Sequence, residues 1–451
     1  MDFRVIKSAY LIGIKGVGMT ALAQVLKKRG VAVSGSDTAE KFFTDDILTK
    51  NRIPFFNGFS AAHIRPETAE VFISSSAYLG TATVKKSFTG GATTNAEVQA
   101  VLAAHLSLVS YAQAVGGLMT GNVGIAVCGS HGKSSTTAML GVILQHAQKD
   151  PTVIVGTEVL DWHANGRAGQ SRYIVVEADE YRDAFLHYSP KIAIITAISY
   201  DHPDYFPSPR SYLRAFERFA ARVPHDGVII ANADDENVRA VLRSKKIEAT
   251  IQYFSPAEHP VQLATRFPEH PYYANALAAY YAARALHIPT ATILSTLSTF
   301  KGTKRRFERI GAYHGNLILD DYAHHPDEVA ATLKGLREKF PTKKIALIFQ
   351  PHTFSRTAAL LDDFAQALSL ADDTFIFPIY GSAREMSGTV SAADLIYAIQ
   401  KYGGQAVAAE HKTIRALIQK LAPRQWVIVT MGASDIWKIG KELVATTTST
   451  S

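Results

Sequence analysis

The chain has 451 residues, of which 47% are hydrophobic, and a formal net charge of +7. This length exceeds what one hydrophobic core usually organises, so two or three domains are expected. The basic residues are scattered without aromatic interleaving, which argues against nucleic-acid binding, and an anionic small molecule explains the charge as well. The single cysteine, Cys128, excludes an internal disulfide and favours a reducing cytoplasm. No segment approaches the roughly 18 apolar residues that span a bilayer, so membrane insertion is not expected.

Residues 9–37 read as a strand, a glycine turn, a helix and a second strand. The turn contains Gly13, Gly16 and Gly18, and the second strand ends at Asp37. This pattern is typical of a Rossmann-like βαβ unit, in which the glycines admit a diphosphate and an acidic residue holds a ribose hydroxyl. It is compatible with a nucleotide cofactor, with a nucleotide-linked substrate, and with a purely structural turn.

Residues 124–137 form an apolar strand, a tight glycine turn and a helix that opens on Lys133. Such a loop directs backbone N–H groups and the positive end of a helix dipole at one spot, where Lys133 adds a full charge. Ser134 stands where a hydroxyl normally completes the coordination of a phosphate-bound Mg²⁺. The spacing of Gly129 and Gly132 is shorter than in the usual P-loop. We predict a nucleoside triphosphate site, against the alternative of a plain turn.

Two apolar runs further along end in side chains that can bind a metal, Glu177 in YIVVEADE and His202 in KIAIITAISYDHPDYF. Ligands gather at the carboxyl ends of strands in an open α/β sheet. We therefore expect Glu177 and His202 to reach the Mg²⁺ and the γ-phosphate at the loop. Taken alone, each is more typical of a solvated surface group. An amphipathic helix carrying Asn275 in its first turns follows.

The alternation of strand and helix patterns repeats after a basic stretch near residue 310. In this stretch, Arg305 or Arg306 could reach bound phosphate. The expected fold is therefore α/β with three domains. They are a Rossmann-like domain over 1–115, a P-loop ATPase domain with a mostly parallel sheet over 116–308, and a Rossmann-like domain over 309–451. His324, His325 and His352 follow strands of the last domain and are candidates for accepting a proton, for orienting ligands or for structural roles.

Taken in order, these segments resemble the Mur ligase family, ATP-dependent enzymes that add amino acids or peptides to UDP-N-acetylmuramic acid. GIKGVGM and VSGSD resemble the family's UDP-binding region, GSHGKSSTT its phosphate loop, and EADE with YDHPDYF its metal-binding pair. DDYAHHP, FQPHTFSRT and YGSARE resemble C-terminal motifs. The resemblance covers essentially the whole chain and is closest to the branch that joins L-alanine to UDP-N-acetylmuramate.

The resemblance implies four groups of site residues. The UDP-substrate site would comprise Gly13, Lys15, Gly16, Val17, Gly18, Met19, Ser36 and Asp37. The ATP site would comprise Gly129, Ser130, His131, Gly132, Lys133, Ser134, Ser135, Asn275, Arg305 and Arg306. Mg²⁺ would be held by Ser134, Glu177 and His202, and the amino acid by His325, His352 and Arg356. The catalytic residues would be Lys133, Glu177, His202 and Arg306.

Three local departures from the family pattern stand out. FQPHTFSRT has Thr353 where the family has an arginine, which leaves Arg356 to hold the acceptor's carboxylate by paired charge-assisted hydrogen bonds. Before Asn275 the chain has Glu269, Pro271 and Tyr272 instead of a glycine and a His-Asn pair. The stretch after His202 lacks a lysine that is carbamylated in some other Mur ligases. Members of the branch that this chain resembles generally do without this lysine.

The implied reaction transfers the γ-phosphate of ATP to the substrate carboxylate, and the amine of L-alanine then attacks the acyl phosphate to form an amide. We expect a cytoplasmic monomer or weak dimer that requires ATP and Mg²⁺. The alternatives are a murein tripeptide ligase of cell-wall recycling and a catalytically inactive nucleotide-binding regulator. A NAD-dependent dehydrogenase would leave the second glycine loop unexplained.

Overall fold

The computed structural model describes residues 5–79, 94–255, 272–381 and 387–448. Contacts within the chain divide it into two compact units. The first unit consists of Met1–Ile198, Leu213–Glu258 and Asn275–Lys301, and the second of Ser199–Tyr212, His259–Ala274 and Gly302–Ser451. The predicted α/β class with mostly parallel sheets is confirmed. The boundaries of the three predicted domains stay a prediction, because these contacts group the chain into two units.

The first unit opens with a five-stranded parallel sheet of order β3-β2-β1-β4-β5. Its strands are β1 (Ser8–Ile12), β2 (Ala32–Asp37), β3 (Phe55–Asn57), β4 (Val71–Ser74) and β5 (Leu108–Ser110). The helices of this region are α1 (Val17–Lys28), α2 (Phe43–Lys50), α3 (Ala96–Ala103) and α4 (Tyr111–Met119). The strand, glycine turn, helix and second strand predicted for residues 9–37 are confirmed, and β2 ends at Asp37.

The same unit contains a seven-stranded sheet of order β12-β11-β10-β6-β9-β7-β8, in which only the β7–β8 pair is antiparallel. Its strands are β6 (Val123–Cys128), β7 (Thr152–Val159), β8 (Ala164–Arg167), β9 (Tyr173–Glu177), β10 (Ile192–Ile195), β11 (Val228–Asn232) and β12 (Thr250–Phe254). The helices of this stretch are α5 (Lys133–His146), α6 (Pro209–Ala220), α7 (Glu236–Leu242), α8 (Tyr272–Ala285) and α9 (Thr290–Thr299). Strands β6 and β9 are adjacent and parallel, so the phosphate loop and Glu177 emerge at one edge.

The second unit contains a six-stranded sheet of order β13-β14-β18-β15-β16-β17, with an antiparallel β13–β14 pair. Its strands are β13 (Glu308–Tyr313), β14 (Asn316–Asp321), β15 (Lys344–Phe349), β16 (Asp373–Ile376), β17 (Ala406–Ala408) and β18 (Trp426–Met431). The helices are α10 (Pro326–Lys339), α11 (Phe354–Ala359), α12 (Leu361–Leu368), α13 (Ala392–Lys401), α14 (His411–Ile418) and α15 (Trp437–Thr448).

Burial of both sheet faces explains the composition of the central strands. Parallel strands connected by helices are covered on both sides and are therefore apolar along their whole length. Strand β18 (WVIVTM) is buried at every position, and β15 (KIALIF) at every position after Lys344. Among the described residues, no helix combines the length and the apolar character needed to cross a lipid bilayer.

The first sheet depends on a glycine at the centre of β2. Gly35 pairs with Leu11 of β1, and a Cβ atom on Gly35 would lie 2.3 Å from the carbonyl oxygen of Leu11. We expect Gly35→Ala to lower the free energy of unfolding by about 1–3 kcal/mol, because the strands must separate to admit the methyl group. Urea denaturation measures the change. Ala32→Ser, at an exposed position of the same strand, should stay within about 0.5 kcal/mol, and equal losses for both variants would contradict this.

Candidate active site

The backbone of the phosphate loop (residues 129–135) is shaped by two glycines with positive φ, 134° at Gly129 and 79° at Gly132. A Cβ on Gly132 would lie 2.2 Å from Oδ1 of Asn275, and one on Gly129 would lie 2.2 Å from Oγ1 of Thr196. Only glycine fits such a conformation in so little space. Gly132 is also the N-cap of α5, and no side chain caps this helix. The loop therefore presents the N–H groups of a helix start, which suits an anion.

Lys133 folds back over the loop instead of extending away from it. Its Nζ donates to the carbonyl oxygens of Gly129 at 2.6 Å and Ser130 at 3.3 Å, and to Oε2 of Glu180 at 3.1 Å. Burial alone would lower the pKa of Lys133, but the carboxylates of Glu180, Asp179 and Glu177 outweigh burial and raise the pKa above its usual value. The ammonium group therefore remains charged at the loop.

The structure brings together two of the three predicted metal ligands. The hydroxyl of Ser134 donates to Oε1 of Glu177 at 2.9 Å, and the backbone N–H of Gly156 donates to Oε2 at 2.6 Å. A hydroxyl and a carboxylate are oxygen ligands of the kind that Mg²⁺ prefers. The third predicted ligand, His202, belongs to the second unit, where its backbone has a positive φ of 57°.

Four further residues of the predicted ATP site lie in the first unit. His131 accepts a hydrogen bond from Thr196 through its carbonyl oxygen, and Ser130 donates its N–H to Ala197 at 2.8 Å. Ser135 is buried in the first turn of α5. Asn275 lies in the first turns of α8, as predicted, and it lies against Gly132.

In the predicted UDP-binding loop, Lys15 and Asp37 are engaged with the protein itself. The Lys15 ammonium is 3.0 Å from Oδ1 of Asp45 and donates to Oδ1 of Asn57 at 2.8 Å. Asp37 accepts the N–H of Lys15 at 2.7 Å and the hydroxyl of Tyr78 at 3.3 Å. These contacts fix the loop, so we assign both side chains a supporting role, and their contact with a UDP substrate stays a prediction.

The other predicted residues of this loop are packed closely around it. A Cβ on Gly18 would lie 2.8 Å from the ring of Tyr111, and one on Gly13, whose φ is 86°, would lie 2.7 Å from the ring of Tyr78. Gly16 closes the turn by donating its N–H to Gly13 at 3.2 Å. Val17 accepts a hydrogen bond from Asn165 at 2.6 Å. Met19 and Ser36 are buried.

The second unit contains a compact cluster around Arg356. Its guanidinium binds the carboxylate of Asp201 through two hydrogen bonds of 2.9 and 3.2 Å, and its Nη1 lies 3.4 Å from Nδ1 of His352. The ring of His352 stacks on Tyr380, with centroids 5.8 Å apart, and meets His324 edge-on at 6.1 Å. We name these five residues the Arg356 cluster.

His324 and His325 have different surroundings within this unit. Burial, with contributions from Arg356 and His352, lowers the pKa of His324 to about 3 against the opposing effects of Glu328 and Asp201, so the ring is neutral at neutral pH. His325 caps α10 by accepting the N–H of Asp327 at 3.3 Å, and its Nε2 donates to the carbonyl oxygen of Tyr200 at 3.1 Å. His325 therefore caps the helix, and its predicted contact with the amino acid stays a prediction.

The two arginines predicted near the phosphate differ in their contacts. Arg305 donates to Oδ2 of Asp320 at 3.0 Å and to the carbonyl oxygens of Gly432 and Ser434 at 2.6 and 2.8 Å. It therefore ties β14 to the loop after β18. Arg306 lies 3.6 Å from Oε1 of Glu328. Contact of either arginine with ATP stays a prediction.

Comparison with known proteins decides the family. Profiles described as "Mur ligase family, catalytic domain", "Mur ligase middle domain" and "Mur ligase, glutamate ligase domain" match residues 8–122, 127–281 and 305–434. A "UDP-N-acetylmuramate--L-alanine ligase" of Desulfitobacterium hafniense is 38% identical over 96% of this chain and 99% of its own. One from Caldicellulosiruptor saccharolyticus is 34% identical over 95% and 96%.

The chain belongs to the Mur ligase family. Solved structures with similar folds include a UDP-N-acetylmuramate-alanine ligase of Thermotoga maritima, with a TM-score of 0.77, 24% identity and coverage of 99% of this chain and 100% of that one. A murein peptide ligase of Psychrobacter arcticus has a TM-score of 0.68 and 23% identity over 97% and 98%. At these identities the two structures show that this Mur ligase shares their fold.

Three acidic residues of this Mur ligase that make buried ion pairs or hydrogen bonds were not predicted from the sequence. Glu180 pairs with Lys133, Asp201 pairs with Arg356, and Glu97 accepts hydrogen bonds from Ser36 and, at 2.7 Å, from His63. Each is buried. The signal was present for Glu97, since it is the one charged residue in the otherwise uncharged helix AEVQAVLA. Ser382–Glu385 of the YGSARE motif lie outside the described residues.

The burial of His324 gives this Mur ligase an acid-sensitive stability. Between its usual pKa of 6.5 and its folded value of about 3, the unfolded chain binds a proton at His324 and the folded chain does not. Stability is therefore lost as the pH falls through this range, by about 2 kcal/mol at pH 5 from this residue. His324→Asn should lose less stability than the wild type between pH 7 and pH 5, measured by urea unfolding at each pH. Identical pH profiles would contradict the assignment.

Proposed function

We propose that this Mur ligase joins L-alanine to the carboxylate of UDP-N-acetylmuramate in an ATP-dependent reaction that proceeds through an acyl phosphate. The observation that carries the proposal is the charged Lys133 at a glycine-shaped loop, next to the Ser134–Glu177 pair. The curated relatives named above supply the identity of the two substrates, because this chain matches them over nearly their whole length.

Lys133 and the loop N–H groups are suited to the difficult part of the reaction, in which one anion must attack another. Preorganised positive charge stabilises the charge that spreads over the oxygens of the transferring phosphoryl group. Ser134 and Glu177 fit an Mg²⁺ ion because their oxygens already meet at hydrogen-bond distance. Such an ion would neutralise phosphate charge, and His202 is proposed as its third protein ligand.

The Arg356 cluster is the proposed holder of the amino acid. A guanidinium binds a carboxylate through paired charge-assisted hydrogen bonds, so Arg356 would orient L-alanine by its carboxylate. A His324 with a pKa of about 3 is too weak a base to accept a proton from an ammonium group. His325 and His352 remain the proposed candidates for accepting this proton, and each has a ring nitrogen in a hydrogen bond within its unit.

The requirement for ATP and the free thiol of Cys128 support a cytoplasmic location. Thr353, in place of the family's arginine, favours a second candidate, ligation of a whole murein tripeptide, since a larger acceptor can make compensating contacts elsewhere. We also propose that the protein is a monomer or a weak dimer.

An acceptor comparison tests the proposal. Purified protein with ATP, Mg²⁺ and UDP-N-acetylmuramate should release phosphate with L-alanine, and mass spectrometry should detect the ligated product. Glycine, L-serine and the murein tripeptide serve as competing acceptors. Lys133→Ala should lose at least the ~3 kcal/mol of transition-state stabilisation that is typical of one preorganised donor. This loss corresponds to a reduction in rate of more than about a hundredfold. Lys28→Ala, an exposed lysine at the end of α1, is the matched control.

Phosphate release with the tripeptide alone would move this protein to the recycling reaction. Binding of ATP without turnover on any acceptor would support the inactive regulator. Normal turnover by Lys133→Ala would contradict the role of the phosphate loop.

A further inference from the structure

Arg356, the proposed holder of the amino acid's carboxylate, is already bound to a carboxylate of its own chain. Its Nε donates to Oδ1 of Asp201 at 2.9 Å and its Nη2 donates to Oδ2 at 3.2 Å. The side chains are only 6% and 8% exposed. The pair is therefore a defined, buried contact with a single orientation of the guanidinium.

A guanidinium has two edges that can each bind a carboxylate with paired N–H groups, the Nε–Nη2 edge and the Nη1–Nη2 edge. Asp201 takes the first edge. The second edge carries Nη1, which lies 3.4 Å from Nδ1 of His352, whose ring stacks on Tyr380. Binding of Asp201 thus leaves Arg356 with a second edge that is oriented toward this aromatic pair.

The substitution at Thr353 makes this orientation more important. Where the resembled family pattern has two arginines in this motif, FQPHTFSRT has Thr353 and Arg356, so the orientation of Arg356 decides how a carboxylate binds to the motif. A guanidinium on a flexible side chain loses entropy when it is ordered by the ligand, and a protein carboxylate that orders it beforehand removes this cost.

Asp201 also contacts the backbone of the neighbouring residue, His202, a proposed metal ligand. Its Oδ1 accepts the backbone N–H of His202 at 2.6 Å. His202 has a positive φ of 57°, a conformation that a non-glycine residue keeps only when its surroundings hold it. One carboxylate therefore fixes both the guanidinium of Arg356 and the backbone of His202.

We propose that Asp201 is a positioning residue that pins one edge of Arg356, so that the opposite edge binds the carboxylate of the incoming amino acid. The inference rests on the proposed ligase function and names how its acceptor is selected. An Asp201–Arg356 ion pair that only stabilised the fold would affect the free energy of unfolding but not the choice between acceptors.

The test compares L-alanine with L-alaninamide, which lacks the carboxylate, in the ligation assay. Asp201→Asn keeps an acceptor at Oδ1 but places an NH₂ group against Nη2 of Arg356. We expect the KM for L-alanine to rise roughly ten- to hundredfold, the effect of losing a charged hydrogen bond, with the KM for ATP changed less than about twofold. Preference for L-alanine over L-alaninamide should fall by a similar factor.

The double variant Asp201→Asn with Arg356→Lys should have a KM for L-alanine no higher than that of Arg356→Lys alone, because Asp201 acts through Arg356. Asp372→Asn is the matched control, since Asp372 binds Arg337 at 2.8 Å elsewhere in the same unit and should leave acceptor preference unchanged. Asp201→Glu, which restores a carboxylate, should recover part of the preference.

An unchanged acceptor preference in Asp201→Asn, with or without lower stability, would overturn the inference. So would complete loss of turnover in both Asp201 variants, which would place Asp201 in the reaction itself. A wild-type protein that ligates neither amine would refute the proposed function, an outcome distinct from either of these.

Discussion

The partly buried charge of Lys133 is the constraint on which the candidate phosphate site depends. A lysine that is taken out of water either loses its proton or finds a carboxylate, and here Glu180 supplies one at 3.1 Å. The pairing keeps the ammonium charged and folded over the carbonyl oxygens of its own loop. Glycines at 129 and 132 are also required, because both have a positive φ and a Cβ atom there would collide with Thr196 or Asn275. A triphosphate would enter a loop whose positive charge is already in place.

The second unit shows the same arrangement with an arginine. Asp201 holds Arg356 as Glu180 holds Lys133, and in both cases the acid is nearly inaccessible to solvent. Each cation is thus fixed before any anionic substrate binds. Fixed charge of this kind is effective in catalysis because it needs no reorganisation when negative charge develops.

The sequence predicted those parts of the site that depend on strand order and local motifs. The turn at Gly13, the end of β2 at Asp37 and the meeting of Ser134 with Glu177 all follow from parallel strands whose carboxyl ends share an edge. Two of the buried acids, Glu180 and Asp201, could not be predicted in this way. Glu180 and Asp201 lie within or beside recognised motifs, but their partners are 47 and 155 residues away along the chain.

Local sequence patterns also do not show whether a side chain already forms hydrogen bonds or ion pairs within the protein. Lys15 and His325 match family motifs, yet their polar atoms bind within their own units. Thr353 shows another limit, since its backbone φ of 67° is unusual for a β-branched residue and follows from the path of the chain into α11.

The proposed acyl phosphate is tested by following the oxygen atoms of the substrate carboxylate. UDP-N-acetylmuramate labelled with ¹⁸O in that carboxylate is incubated with the protein, ATP, Mg²⁺ and L-alanine, and the released phosphate is analysed by mass spectrometry. Activation through an acyl phosphate predicts that each phosphate carries one ¹⁸O atom and that the other remains in the amide. Release of unlabelled phosphate together with the ligated product would exclude an acyl phosphate formed from this carboxylate.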